Sequence, residues 1–254
     1  MNQDRELLRL LPSVLRARDF HLYLEGGRRL LDLWLQGGRA ILGHKPPNVV
    51  NEMKNAAERG LFTPLPHPME RRFIKALEVF FPGKTFRLYS DEASLRRALD
   101  DAGIISKVSL WRPFLGPEND TPILIPILPW PLGPAALVLE KDLDASFPSG
   151  ELIPPVLLAP AARALHNLAA AEKDFAANNP RFPKIEKALK ESIWRRKGIY
   201  LSIEPDTEKE KYKALFLRFL EGGCLIPPSP MEPLILPRVM LKGEEAKLAE
   251  LLGS

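Results

Sequence analysis

Two short stretches of this sequence place a reactive or anion-binding group beside an apolar run. In the first, Glu140 and Lys141 follow the apolar residues Ala135–Leu139. An amine at a strand end can attack a carbonyl if burial keeps it unprotonated. Asp142 and Asp144 come next, however, and a charged turn of this kind is solvated, so the lysine keeps its proton. We therefore assign no catalytic residue and keep Lys141, with Glu140, as a secondary alternative.

The second stretch is the junction between a predicted strand, Thr85–Tyr89, and a predicted helix. Ser90, Asp91, Glu92 and Ala93 form this junction. An aspartate here accepts hydrogen bonds from the first N–H groups of the helix, which are the groups that otherwise bind anions such as phosphate. We predict that Asp91 caps the helix, so that its own carboxylate occupies the anion position.

The composition indicates a globular protein. The 254 residues are 45% hydrophobic and 27% charged, enough for a sizeable core in one or two domains. The formal charge of +4 comes from 36 basic and 32 acidic residues spread along the chain, which gives little reason to expect nucleic-acid binding. We expect no membrane span, because no stretch approaches the ~20 apolar residues that one requires.

The single cysteine, Cys224, excludes an internal disulfide and any multi-cysteine metal site, and we expect no metal. Its apolar neighbours predict a small buried residue. The N-terminal residues 1–11 are too charged and their apolar run is too short for a secretion signal. These features together predict a reducing, cytoplasmic location.

Glycine turns organise the N-terminal region. Alternation in residues 21–24 and 29–32 about a Gly-Gly turn predicts a β-hairpin. Gly37 and Gly38 then let the chain bend before a helix of apolar residues at helical spacing. We expect His44 to hydrogen-bond backbone near the start of that helix rather than to take part in chemistry.

Prolines dominate the middle of the chain, and the last third has regular periodicity. Between residues 111 and 160 the prolines predict no long helix and only short or edge strands, at residues 123–128 and 135–139. We expect the basic residues 194–197 to form a turn before a strand. The remaining predictions are helices at residues 68–81, 182–193, 208–220 and 244–252, a strand at residues 198–203, and two short strands within residues 225–240.

Residues 20–50, FHLYLEGGRRLLDLWLQGGRAILGHKPPNVV, resemble the N-terminal signature of the class III aminotransferases. These are pyridoxal-phosphate (PLP) enzymes of fold type I that include glutamate-1-semialdehyde aminomutase. Residues 150–171 resemble the segment and helix after the family's Schiff-base lysine, and residues 223–229 resemble a stretch that faces the substrate. The resemblance covers about residues 17–99 and 150–254, and it supports the fold more than the activity.

The same resemblance implies that the cofactor-binding parts are missing. The family's phosphate loop is Ser-Gly-Thr-Glu-Ala, whereas Ser90-Asp91-Glu92-Ala93 has Asp91 in place of the glycine and threonine. Two unit charges ~4 Å apart repel by roughly 4 kcal/mol at an effective dielectric constant near 20, so this loop is degenerate as a phosphate site. Neither the aspartate that pairs with the pyridine nitrogen nor the Schiff-base lysine is recognisable. We therefore expect no cofactor, although PLP is the family cofactor.

The resemblance implies an α/β protein with a shortened PLP-dependent transferase fold of type I. Residues 1–45 are expected to pack with a C-terminal small α/β domain, residues 175–254, and residues 46–174 to form a reduced large domain. A homodimer is implied, with residues 61–66 as a plausible contact. Gly37 and Gly38 are candidates for the family's substrate cleft, with Arg238 as a candidate for the arginine that binds a substrate carboxylate.

Three functions are compatible with these residues. The favoured one is an aminotransferase-like protein that has lost PLP binding and transamination and acts as a non-catalytic binding or scaffolding homologue. The second is a minimal PLP-dependent aminotransferase or aminomutase that acts on an amino acid or amino aldehyde, with Lys141 as the Schiff-base lysine. The third is a binder of a small anionic ligand that reuses the old cleft through Arg87, Arg112 or Arg195.

Overall fold

The computed structural model describes residues 3–103, 108–119, 121–147, 149–178 and 180–253, which form a mixed α/β structure as predicted. The helices are α1 (Gln3–Leu8), α2 (Val49–Glu58), α3 (Pro68–Glu78), α4 (Glu92–Asp101), α5 (Pro155–Ala177), α6 (Pro183–Ala188), α7 (Lys209–Glu221) and α8 (Lys242–Gly253). The strands are β1 (Val14–Arg18), β2 (His21–Leu24), β3 (Arg29–Asp32), β4 (Thr85–Tyr89), β5 (Ser109–Arg112), β6 (Gly116–Pro117), β7 (Ile123–Pro126), β8 (Ala135–Leu139), β9 (Arg195–Lys197), β10 (Tyr200–Ser202), β11 (Cys224–Leu225) and β12 (Leu234–Ile235).

Contacts along the chain divide it into two compact units. Unit 1 is formed by Met1–His44 and Phe175–Ser254, and unit 2 by Lys45–Asp174. The assignment of these segments to a small domain and a reduced large domain stays a prediction. None of the described helices is long and apolar enough to cross a membrane.

The first sheet of unit 1 is built on the predicted hairpin. β2 and β3 pair antiparallel, with His21 opposite Leu31 and Leu22 opposite Leu30, which confirms the hairpin. β11 joins β3 in parallel, and β1 forms the opposite edge, so the order is β1-β2-β3-β11. The sequence did not indicate β1, because its side chains are almost all exposed and show no apolar alternation.

A second sheet of unit 1 corrects two predictions. It has the order β12-β10-β9, and Arg195–Lys197 is therefore a strand rather than a turn. Charged residues suit an edge strand because they oppose pairing with another chain. The two short strands predicted within residues 225–240 also fall in different sheets, since β11 pairs with β3 and β12 with β10. The predicted helix at residues 182–193 is α6 followed by a short 3₁₀ turn, Leu189–Glu191.

Unit 2 contains a five-stranded sheet in the order β4-β8-β7-β5-β6, in which only β5 and β7 pair in parallel. The two short strands predicted from the prolines are confirmed as β7 and β8, although β8 is an interior strand with every residue buried. The exclusion of a long helix up to residue 160 is wrong, because α5 begins at Pro155 and continues through Pro160 to residue 177. A proline suits the first turn of a helix, and the buried apolar face of α5 compensates for the hydrogen bond lost at Pro160.

Apolar packing holds the sheet of unit 2 against α4. The buried cluster contains residues of β4, β7, β8 and the inner face of α4: Tyr89, Leu95, Leu99, Ile123, Ala135, Leu137 and Leu139. A smaller cluster joins Ala56 of α2 to Val156 and Ala159 of α5. The first of these clusters fixes the position of the junction between β4 and α4.

Candidate functional site

The junction between β4 and α4 is closed by a carboxylate from the junction itself. Asp91 lies in an extended conformation directly before α4, and its Oδ1 accepts a hydrogen bond from Ser94 N at 2.7 Å. This bond confirms the predicted helix cap. It also stabilises the ionised carboxylate, so the pKa of Asp91 lies below its usual value.

A second carboxylate, which the sequence analysis missed, binds the same junction. Glu151 Oε2 accepts the Ser90 N–H at 2.8 Å, and Glu151 N donates to Leu88 O at 2.7 Å, along the open edge of β4. Gly150 allows this approach, since a Cβ atom there would lie 2.6 Å from both the N and the O of Leu88. The Gly150-Glu151 pair was visible in the sequence, but only the fold shows that it lies beside β4.

A phosphate group at this junction would compete with two carboxylates of the chain. The N–H groups of Ser90 and Ser94 bond to two carboxylates of the chain, and the Ser94 hydroxyl accepts a bond from Arg97 at 3.0 Å. Both carboxylates are exposed, so water reduces their repulsion of a dianion without cancelling it. Two of the N–H groups that would cradle a phosphate are already bound by carboxylates, so these residues do not fit that group.

Lys141 and Glu140 do not form a buried amine–carboxylate pair. Lys141 is exposed and begins a short 3₁₀ helix, Lys141–Ser146. Glu140 instead forms an ion pair with Lys84, which lies just before β4. Lys107, the other lysine between Lys84 and Lys173, lies outside the described residues. Lys141 and Glu140 therefore do not lie together in a buried site.

Unit 1 contains a second polar cluster at the end of β3. Asp32 is 2% exposed; its Oδ1 accepts from Trp34 N and Leu35 N, both at 2.9 Å, and its Oδ2 accepts from His44 Nε2 at 2.9 Å. The side-chain partner of His44 is therefore a buried carboxylate, which corrects the expectation of a backbone bond near the helix start. The contact spans 12 residues, and no local pattern indicates it.

The two cleft glycines lie in the turn that Asp32 holds. Gly37 and Gly38 have φ of 67° and 106°, which glycine adopts without strain. Glu232 lies beside them: its Oε2 accepts from Trp34 Nε1 at 2.6 Å and would be 3.4 Å from a Cβ atom at Gly37. Arg238, the third cleft candidate, is half-buried beyond β12. Its role as a carboxylate anchor stays a prediction, as do those of the two glycines.

The three arginines considered as anion ligands have different surroundings. Arg112 is 8% exposed, and its Nε donates to Glu118 Oε1 at 2.8 Å. Arg87 lines a depression of about 580 Å³ that also contains Glu70 and Glu151. Arg195 is exposed on β9. Arg112 is thus already paired with a carboxylate, and Arg87 shares its depression with two carboxylates, which weakens both as ligands for a free anion.

Metal binding finds no support among the described side chains. No group of three or more His, Cys, Asp or Glu residues among them could hold a metal ion. Cys224, as predicted, is a buried residue, 3% exposed.

Burial raises the pKa of the Cys224 thiol to about 11, and this shift predicts a pH dependence of stability. A thiol ionises at about 9 when unfolded, so its stabilising effect is complete below pH 9 and is lost as the pH rises toward 11. Between pH 8 and pH 10.5 we expect the native protein to lose about 2 kcal/mol of unfolding free energy relative to Cys224→Ala. Urea denaturation of both proteins at the two pH values measures this; an unchanged difference would contradict it.

Comparison with solved structures identifies the fold as that of aminotransferases. An ornithine aminotransferase from Plasmodium yoelii has a TM-score of 0.70 at 14% identity, with 95% of this chain and 92% of that chain covered. An acetylornithine aminotransferase from Elizabethkingia anophelis has a TM-score of 0.66 at 13% identity, with 100% and 98% covered. A transaminase solved with PLP bound has a TM-score of 0.67 at 13% identity, with 99% and 95% covered. The chain therefore has the fold of PLP-dependent aminotransferases; its shortening stays a prediction.

Sequence comparisons give relatives without a described function. An uncharacterized protein of Treponema pallidum is 26% identical over 281 residues, covering 91% of this chain and 91% of the relative. An uncharacterized protein of Borreliella burgdorferi is 40% identical over 78 residues, covering 31% of this chain and 29% of the relative. No family model matches the chain.

Proposed function

We propose that this protein is an aminotransferase-like homologue that has lost PLP binding and transamination and acts as a non-catalytic binding or scaffolding module. The observation that carries the proposal is the double occupation of the junction between β4 and α4. Asp91 and Glu151 accept the N–H bonds that a phosphate would need, and both add negative charge.

The surroundings of Lys141 support the same proposal. An aldimine requires an amine that loses its proton near neutral pH, and burial is one way in which proteins achieve this. Lys141 is exposed, and the nearest carboxylate in sequence is engaged by Lys84. We assign no other Schiff-base lysine.

The test is to mix the purified protein with PLP, record the visible spectrum, reduce with borohydride and map any modified lysine by mass spectrometry. We expect no aldimine band and no stoichiometric adduct on a single lysine. Lys141→Ala and the exposed control Lys173→Ala should then show the same low background labelling. A stoichiometric adduct lost only in Lys141→Ala would overturn the proposal and establish the minimal PLP enzyme instead.

Neutralising the junction should restore part of its anion-binding capacity. In the double variant Asp91→Ser with Glu151→Gln, serine still caps α4 and glutamine still reaches Ser90 N, but two negative charges are gone. We expect its dissociation constant for inorganic phosphate to be about tenfold lower than that of the native protein. NMR titration of the Ser90 and Ser94 amide signals measures this at the junction itself, so phosphate bound elsewhere does not contribute. The double variant Asp101→Ser with Glu78→Gln is the charge-matched control away from the junction. If the junction variant bound phosphate no more tightly than the control variant, the charges of Asp91 and Glu151 would not be what excludes phosphate.

We also propose a cytoplasmic homodimer. The single buried cysteine fits a reducing compartment, and residues 61–66 carry two exposed apolar side chains, Phe62 at 59% and Leu65 at 61% exposure. Replacing both by serine is expected to shift the sedimentation of the protein from dimer to monomer. A native protein that sediments as a monomer would refute the dimer, and a variant that remains dimeric would refute this contact.

A further inference from the structure

A cavity in unit 1 has no part in the proposed function and combines two cationic side chains with an imidazole. It has a volume of about 390 Å³, within the range of small-molecule sites. His21 of β2, Arg29 of β3 and Lys247 of α8 contribute to its lining, together with Glu244 of α8 and Cys224 of β11. Four separate elements of one unit thus meet around this space.

The charges in the cavity are held in a defined arrangement. His21 Nε2 lies 2.8 Å from Glu244 Oε1, and Arg29 donates to the same oxygen at 3.0 Å. Glu244 Oε2 accepts from Leu241 N at 3.1 Å, which fixes the carboxylate at the start of α8. The single carboxylate is therefore fully engaged, and Arg29 can turn its remaining N–H groups toward the cavity.

Lys247 supplies the uncompensated charge. Its Nζ would lie 3.4 Å from a Cβ atom at Gly223, so the ammonium is positioned over the turn before β11. None of the ion pairs between described residues includes Lys247. With Arg29 and Lys247 positive and Glu244 negative, the lining carries one net positive charge even when His21 is neutral.

The lining of the cavity also has an apolar part. Cys224 is the only cysteine of the chain, and it lies in the lining with Leu31. The Lys247 ammonium and the Glu244 carboxylate both influence the pKa of its thiol, which places both charges near the sulfur. The charged groups and this apolar part of the lining thus lie close together.

We propose that this cavity binds the oxyanion group, phosphate or carboxylate, of a small molecule, with Lys247 and Arg29 as its charged ligands. The carboxylate of Glu244 holds Arg29 and His21 in place and at the same time competes with the ligand for Arg29. This site is independent of the β4–α4 junction, so it stands whether or not the protein binds PLP.

The experiment is calorimetric titration of the full-length protein with inorganic phosphate and, separately, with succinate at low ionic strength. We expect saturable binding of at least one of them. Lys247→Ala should weaken that binding about tenfold, because a charge-assisted contact is lost. Lys242→Ala, which removes an exposed lysine of the same helix that does not line the cavity, should change it less than about twofold.

Glu244→Gln should strengthen anion binding, whereas Lys247→Ala should weaken it. A general loss of structure could not strengthen binding, so this variant separates the proposal from that explanation. Glutamine can still accept the Leu241 N–H, but it releases Arg29, so we expect binding about tenfold tighter than in the native protein. If phosphate binds more tightly than succinate, the cavity is a phosphate site. If succinate binds more tightly, it is a carboxylate site. Absence of saturable binding for both anions, equal binding by Lys247→Ala and the native protein, or weaker binding by Glu244→Gln would each overturn the proposal.

Discussion

Asp32→Ala should lower the unfolding free energy by about 3–5 kcal/mol. The buried carboxylate accepts two backbone N–H bonds and the His44 imidazole, and alanine would leave all three donors without this acceptor. Buried donors without partners cost about 1–3 kcal/mol each, although such costs are not additive. Urea denaturation followed by tryptophan fluorescence measures the change, and Trp34 lies beside the altered residue.

Two matched variants separate the hydrogen bonds from the charge. Asp32→Asn keeps an oxygen for the backbone N–H groups but alters the contact with His44, so we expect a loss of about 1–2 kcal/mol. Asp206→Ala removes an exposed carboxylate of the same unit and should stay within about 0.5 kcal/mol of the native value. Equal effects of Asp32→Ala and Asp206→Ala would show that the buried cluster does not stabilise unit 1.

This stability matters for function because Asp32 holds the turn that contains the cleft candidates. Leu35 and Gln36 have φ of 47° and 49°, a left-handed conformation that is costly for residues with a Cβ atom. The bond from Leu35 N to Asp32 Oδ1 helps to keep the chain in this strained path. A ligand of Gly37 or Gly38 would therefore meet a turn that is already fixed.

Gly150→Ala should destabilise unit 2 by about 2–4 kcal/mol and free Ser90 N from Glu151. A Cβ atom at residue 150 would lie 2.6 Å from two backbone atoms of Leu88, and neither the strand nor the segment can move without breaking the Glu151 N bond to Leu88 O. Denaturation measures the first effect. Faster hydrogen exchange at Ser90 N measures the second.

The control for Gly150→Ala is a glycine with ordinary space around it. A Cβ atom at Gly253 would meet only the Cβ of Ala188, at 3.7 Å, so Gly253→Ala should change the unfolding free energy by less than about 1 kcal/mol. If Gly150→Ala were as mild as this control, residues 150–151 could not be closely packed on β4. The argument for a filled phosphate position would then lose the contribution of Glu151.

The sequence by itself determined the local elements with strong periodicity and clear end signals. The β2–β3 hairpin, strand β4 and the Asp91 cap of α4 depend on contacts within a few residues, which alternation and capping chemistry encode directly. The likeness to aminotransferases was also visible in residues 20–50, and the solved structures confirm that fold.

The tertiary structure decided the features that depend on distant residues. Glu151 reaches Ser90 across 61 residues, Glu244 reaches His21 across 223, and β8 became an interior strand in spite of its proline-rich surroundings. No local pattern reports such contacts, because they arise only when sheets and helices bring separate segments together. The short-range signals thus fixed what each segment is, and packing of the buried apolar faces decided which carboxylate meets which donor.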